Sequence, residues 1–447
     1  MKNSIALKRF ITSITFALML AAALWGLTQL LEDKISYREK GDYFSTDTDY
    51  DVIFFGVSHM WNGVLPMEMW QEYGISSYNW GYSNSTPAIN YYLLQEVLKK
   101  SDPKVVVLDI NGVVEYEDDG NGKYDRDSMM QAHVEYDRFP ISVNKIRAAL
   151  DVFDDYDGRA DFIWDFILYH NRWDQLTRED FGGYVRNRER GARFLEGMSH
   201  TDIMWTSRDE RFENLEDYTG YQYFIRTVEL CRDRGIPVLC TCLPHICDDM
   251  SQRVCNTIGD KLAQYDNCTY YNMLYDDLIA YSIDTHADGG HVNYAGACKT
   301  TSRLGEYLKN NYDLPDRSED PEWIAGYADY LNLRREKLAE QDMFLSYLML
   351  LKNPGLTVDI EFYDENMWYS QYIGSEVYFA GVTPATLPVP DDIGERLAQS
   401  GAAVPESGVC AHTVLYSADG SIYDEAYWMY DQSIESSDIG DMIVRIR

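Results

Sequence analysis

Between residues 50 and 312, short apolar runs alternate with stretches of helical periodicity, the pattern of an α/β fold. The runs at 51–55, 77–80, 104–110, 237–243 and 268–272 predict strands, since they are short, apolar and bounded by turn residues. Helices are predicted at 90–100, closed by Ser101-Asp102-Pro103, and at 223–233, closed by Gly235-Ile236-Pro237. A further helix is predicted at 295–310. Residues 113–220 break the alternation and are too long for a connection inside a sheet. They predict an insertion with its own helices at 143–153 and 162–176, placed where insertions shape substrate sites. Residues 313–322 are polar and mark a boundary; 322–352 predicts one long helix, stopped by Asn353-Pro354-Gly355. Strand-like runs at 356–362, 376–382 and 409–416, with a hairpin turn at Ala418-Asp419-Gly420, predict a small β-rich domain over 353–447.

The N-terminal pattern is of another kind. Residues 10–31 carry no charge and are long enough to cross a bilayer as a helix. Lys2, Lys8 and Arg9 precede this run, and Glu32 and Asp33 follow it. The positive-inside rule then leaves residues 1–9 in the cytoplasm and the rest of the chain outside a cell membrane crossed once. Ala21, Ala22 and Ala23 offer the small-residue site of a cleaved signal peptide. The apolar run continues past them through Leu24, Trp25, Leu27 and Leu30, which favours a retained anchor. Either reading exports residues 32–447.

Composition narrows the partners. A chain of 447 residues accommodates two or three domains, and 45% hydrophobic residues sustain a core. A formal net charge of -34 argues against nucleic acid and against adhesion to an anionic lipid surface, both of which need a basic face. The eight cysteines include no Cys-x-x-Cys pair, so no structural metal is expected. Buried free thiols are expected, with a bridge through Cys247, Cys255 or Cys268 left open by an exported location. No phosphate loop or dinucleotide fingerprint is present, and no cofactor is expected.

Two segments carry candidate chemistry. In 51–59 an apolar strand ends on Gly56 and presents Ser58, the placement of a nucleophile in an α/β fold. In 288–293, Asp-Gly-Gly-His-Val-Asn, one turn can aim Asp288 and His291 into the same cleft. Acyl transfer through a serine needs a nucleophile, a base within hydrogen-bond reach, a group that orients the base, and donors for the oxyanion. Ser58, His291 and Asp288 fill the first three roles, with Asp284 a rival orienter. His59, His170 and Arg172 are candidate substrate contacts; His245 and His286 are assigned to structure.

These residues fall in the order of the blocks of the SGNH (GDSL-like) hydrolases, and the chain resembles that superfamily over roughly 50–312. Gly56-Val57-Ser58-His59 resembles the first block with Val57 in place of aspartate. Gly81 corresponds to the second, Asn111 to the third without its Gly-x-Asn-Asp context, and Asp288-x-x-His291 to the last. The resemblance implies a three-layer α/β/α domain over 32–312. It implies an oxyanion hole from the Ser58 backbone, Gly81 and Asn111, with Asn84 in reserve. Within the superfamily the chain is most similar to membrane-anchored bacterial proteins of cell-surface polysaccharide O-acetylation and of teichoic-acid D-alanyl transfer. The implied substrate is a cell-envelope polysaccharide or another acylated polymer. The implied reaction is transfer of an acyl group, acetyl first, with either an acceptor hydroxyl or water as its end point. A multi-pass membrane acyltransferase is the implied donor partner. Val57 and the incomplete third block also admit an inactive scaffold that binds glycan or a membrane partner.

Overall fold

The computed structural model describes residues 2–32, 42–83, 85–114, 138–181, 187–200, 203–352, 355–401 and 408–446. Five parallel strands, β1 (Val52–Phe55), β2 (Ser77–Asn79), β3 (Val105–Asp109), β4 (Val238–Cys242) and β5 (Cys268–Asn272), form one sheet in the order β2-β1-β3-β4-β5. The first four have no exposed face because the sheet is covered on both sides. Ile53, Phe55, Val106 and Leu108 pack into a core with Leu93, Val97, Phe224 and Val228 of helices Pro87–Lys100 and Thr219–Asp233. Val52, Phe54, Val105 and Val107 pack on the opposite side with Met69, Leu304 and Leu308 of helices Pro66–Tyr73 and Tyr294–Asn311. From β1 the chain passes to β2 on one side and β3 on the other. That switch opens a crevice at the carboxyl ends of the strands, where such sheets hold their ligands.

The first helix runs from Lys2 to Leu31, and its stretch Ile5–Leu31 is long and apolar enough to cross a membrane. Its end is clasped by the insertion. Arg172 donates to the carbonyls of Leu31 (2.6 Å) and Glu32 (2.7 Å), and the Trp164 ring N–H donates to Thr28 Oγ1 at 3.3 Å. These contacts fill acceptors that a helix C-terminus leaves open. The helix expected at 162–176 is instead three pieces, Tyr156–Ile163, Asp165–Tyr169 and a 3-10 turn His170–Asp174. Trp164 breaks the run in extended backbone, and Asp165 turns inward to a buried ion pair with Lys145 at 2.6 Å.

The C-terminal residues form a four-stranded antiparallel sheet, β6 (Thr357–Phe362), β7 (Val409–Tyr416), β8 (Ile422–Tyr430) and β9 (Ile443–Arg445), in sequential order. Ser417 and Ser421 close the expected β7–β8 turn around Gly420 at φ 82. Two expectations are corrected here. The helix over 322–352 is interrupted: Pro321–Glu340 is followed by Phe344–Met349. Met343 bridges Val444, and Arg445 N–H donates to the Asp342 carbonyl at 2.9 Å, so strand pairing outcompetes helix propagation there. Its expected stop falls partly on residues 353–354, outside the described residues. The run 376–382 is no strand, since Gln371–Phe379 is helical. Ser370 Oγ accepts the N–H groups of Tyr372 (3.2 Å) and Ile373 (3.1 Å), a local N-cap that starts the helix. Ile373 and Val377 then bury on one face at helical spacing. One apolar core continues from the parallel sheet through Tyr330 and Phe344 to Trp428. All eight cysteines are free; the sulfurs of Cys240 and Cys268 lie 3.3 Å apart, hydrogen-bonded and not bridged.

Candidate active site

The position of Ser58, the candidate nucleophile, follows from how β1 ends. Gly56 lies where a Cβ would sit 2.6 Å from Asp109 Cβ and 2.7 Å from Met60 Cβ, so only glycine lets the chain turn so closely against β3. Val57 stays extended and Ser58 opens the short helix Ser58–Gly63. Asn79, at the end of β2, holds that helix from below. Its amide donates to the carbonyls of Met60 and Val64, both at 2.8 Å, and its Oδ1 accepts the Gly81 N–H at 2.8 Å.

His291, the candidate base, arrives on the turn before helix Tyr294–Asn311. Asn293 caps that helix by accepting the Gly296 N–H at 3.1 Å, and its amide donates to the carbonyls of Gly197 (3.1 Å) and Ile283 (2.7 Å). Tyr294 donates to Glu68 at 2.6 Å, and Glu68 pairs with Arg334 at 3.0 Å, all buried. Between these fixed points His286 N–H donates to the His291 carbonyl at 2.7 Å, closing the turn.

Ser58, His291 and Asp288 meet in a single line. Asp288 Oδ2 accepts the His291 Nδ1–H at 2.7 Å, which leaves Nε2 as an acceptor, and the Ser58 hydroxyl donates to it at 2.7 Å. Asp288 Oδ1 accepts the N–H groups of Gly290 (2.9 Å) and His291 (3.1 Å). Burial pushes the Asp288 carboxyl up, but the hydrogen bonds from Gly290 and from the His291 ring and N–H outweigh it and hold it below its usual range. Asp284 is not in this line. It is buried against Lys299, with both oxygens accepting at 2.7 and 2.6 Å. Burial raises its carboxyl, and Lys299 opposes the rise.

The other expected site residues are placed as follows. Gly81 is a packing glycine: a Cβ there would lie 2.6 Å from Trp61 N and 2.8 Å from Met60 Cβ. Its N–H, expected to donate to an oxyanion, donates to Asn79 Oδ1 at 2.8 Å. The Asn111 amide donates to Asp109 Oδ1 at 2.9 Å and lines a cavity with Phe55, Asn90 and Phe224; among the described residues it makes no hydrogen bond to Ser58 or His291. Asn84 lies outside the described residues. The half-buried His59 ring lies between those of His245 (centroids 4.2 Å apart, tilted) and His291 (5.0 Å). Burial, then His245 and His291, hold the His59 ring well below its usual value, so it is neutral. His245 is likewise pushed down to about 4 by burial. Arg172 clasps the first helix and pairs with Asp180 at 3.1 Å, and His170 Nδ1 bonds the Ile167 carbonyl at 2.7 Å, so both serve the insertion's own structure.

Sequence reasoning missed Asn79 and Asn293. Both are buried amides beside residues already singled out, and Asn79 stands two positions before Gly81. Among the described residues no cluster of three or more His, Cys, Asp or Glu is arranged to hold a metal ion. Comparison with known protein families gives no match, and comparison with curated proteins gives none either.

Proposed function

We propose that the chain is a membrane-anchored, extracytoplasmic serine acyl-transfer enzyme with a three-layer SGNH-like domain, acting on O-acyl groups of a cell-envelope polysaccharide. The observation that carries this reading is the Ser58–His291–Asp288 line, with 2.7 Å at each step. In the reaction His291 Nε2 takes the Ser58 proton as Oγ attacks the acyl carbonyl. The oxyanion faces the Ser58 N–H, a first-turn donor that no helical carbonyl uses. His291 then returns the proton to the departing oxygen, leaving an acyl-serine, and an acceptor hydroxyl or water repeats the sequence in reverse. Asp288 holds Nδ1 protonated throughout. Acetyl is the acyl group this reading favours, and a polymer without dense negative charge suits a chain of net charge -34. In the transferase form a multi-pass membrane protein supplies the acyl group.

A second reading has an observation of its own. Gly81's N–H is bonded to Asn79 and Asn111's amide to Asp109, so two expected oxyanion donors are engaged elsewhere. That favours an inactive scaffold for glycan or a membrane partner. Labelling the full chain with a fluorophosphonate separates the readings. The enzyme reading expects labelling that Ser58→Ala removes; equal labelling of both proteins would leave the scaffold. Acetyl release from an acetylated glycan, with and without an acceptor glycan, then distinguishes transferase from esterase.

A further inference from the structure

We infer that the insertion's surface between residues 141 and 181 lies on the outer leaflet of the bilayer beside the first helix, touching lipid directly. The inference rests on the anchored reading above and adds a second membrane contact to it. Its first support is an exposed aliphatic stripe on a helix that also buries a lysine. Val143–Val152 buries Asn144, Lys145, Ala148, Ala149 and Val152; beside the exposed Arg147 and Asp151, Val143, Ile146 and Leu150 remain 63, 46 and 51% exposed. Their spacing of three and four places them on one stripe. A helix facing only water turns its large aliphatic residues inward and its lysines outward; here Lys145 is buried and three large aliphatic side chains are exposed. The rotation is held by the buried Lys145–Asp165 pair at 2.6 Å: turning the stripe inward would strand both charges.

The second support is continuity with the first helix. Arg172 and Trp164 clasp it at Thr28–Glu32, so this part of the insertion sits where the helix leaves the membrane. Trp173, next to Arg172, and Phe181, next to its partner Asp180, are each 70% exposed. Tryptophan is favoured at the headgroup level of a bilayer. Half of the exposed large apolar side chains described outside the first helix fall between 141 and 181, so the patch is concentrated in one module. A net charge of -34 makes the contact one of apolar and aromatic insertion, not of attraction to anionic headgroups.

The test is quenching of tryptophan fluorescence in the full chain, reconstituted alone into phosphatidylcholine vesicles with acyl chains brominated near the headgroup. Trp25 lies within the first helix and reports the anchor. In Trp25→Phe protein, bromolipid quenching should persist, fall when Trp173→Phe is added, and rise when Ile146→Trp is added. If Trp25→Phe alone abolishes quenching and Ile146→Trp emits unquenched, the first helix spans the bilayer but the insertion does not touch lipid. The stripe then awaits a protein partner and the inference is overturned. If Trp25 itself is unquenched, the anchored reading fails, and the inference falls with it.

Discussion

Replacing Asp288 by asparagine separates orientation from charge at the candidate site. In the native turn Asp288 Oδ1 already accepts two backbone N–H groups, and only Oδ2 faces His291. An asparagine keeps its oxygen on those N–H groups, so its NH2 turns toward Nδ1. Nδ1 must then accept, the ring proton moves to Nε2, and Ser58 loses its base. The loss of charge alone is a smaller effect. Two unit charges about 4 Å apart interact by about 1 kcal/mol in water and about 4 kcal/mol near a protein surface. Asp288 is 42% exposed, which places the value near the lower figure after screening, or about fivefold in rate. Loss of the correct tautomer costs about 10⁴-fold in Ser-His-Asp sites. The assay is the second-order rate of fluorophosphonate labelling at Ser58 in the full chain, which needs no knowledge of the natural substrate. A loss of only about fivefold in Asp288→Asn would refute the orienting role and leave Asp288 as a remote charge. Asp284→Asn, which leaves Lys299 with a weakened partner, should lower stability and keep the labelling rate per folded molecule.

Other residues give independent checks. Gly81→Ala drives a Cβ into Trp61 N at 2.6 Å; it should cost about 1–3 kcal/mol of stability and slow Ser58 labelling by displacing the serine helix, and unchanged labelling would show that the helix does not depend on this contact. His245 is held neutral with its value down at about 4, below its unfolded value near 6.5, so the unfolded chain binds the extra proton between those values. Its stabilising contribution is therefore complete above about pH 6.5 and disappears as pH falls toward 4, a loss of about 3 kcal/mol. Urea unfolding as a function of pH should show it, and His245→Gln should flatten that part of the profile; an unchanged slope would place the acid sensitivity elsewhere. Arg172→Ala removes two hydrogen bonds to the end of the first helix. Hydrogen exchange should quicken at 24–32 and 164–181 while Ser58 labelling stays at the wild-type rate, and a loss of labelling would return Arg172 to the site.

Much of the parallel sheet was legible because its strands are buried on both faces and their sequences are continuously apolar, as in Val105-Val106-Val107-Leu108. The Asp288–His291 turn was legible because three-residue spacing is local. The break at 341–343 was not, since it depends on Val444 and Arg445, a hundred residues away. The helix at Gln371–Phe379 was missed for a different reason: a short apolar run fits strand and helix alike, and Ser370 as its cap decided the matter.

Taken by itself, the sequence determined the α/β alternation, an N-terminal helix long and apolar enough to cross a membrane and the spacing within each candidate motif, because these rest on neighbours within a turn, a helix or a strand. The tertiary structure alone decided which partners those residues meet. It brought Ser58 to His291 across 233 positions, gave the Gly81 N–H to Asn79, set the His59 ring between those of His245 and His291 and turned Arg172 from the cleft to the end of the first helix. Each of these depends on which groups lose water together when the chain closes, and a linear pattern of residues does not contain that.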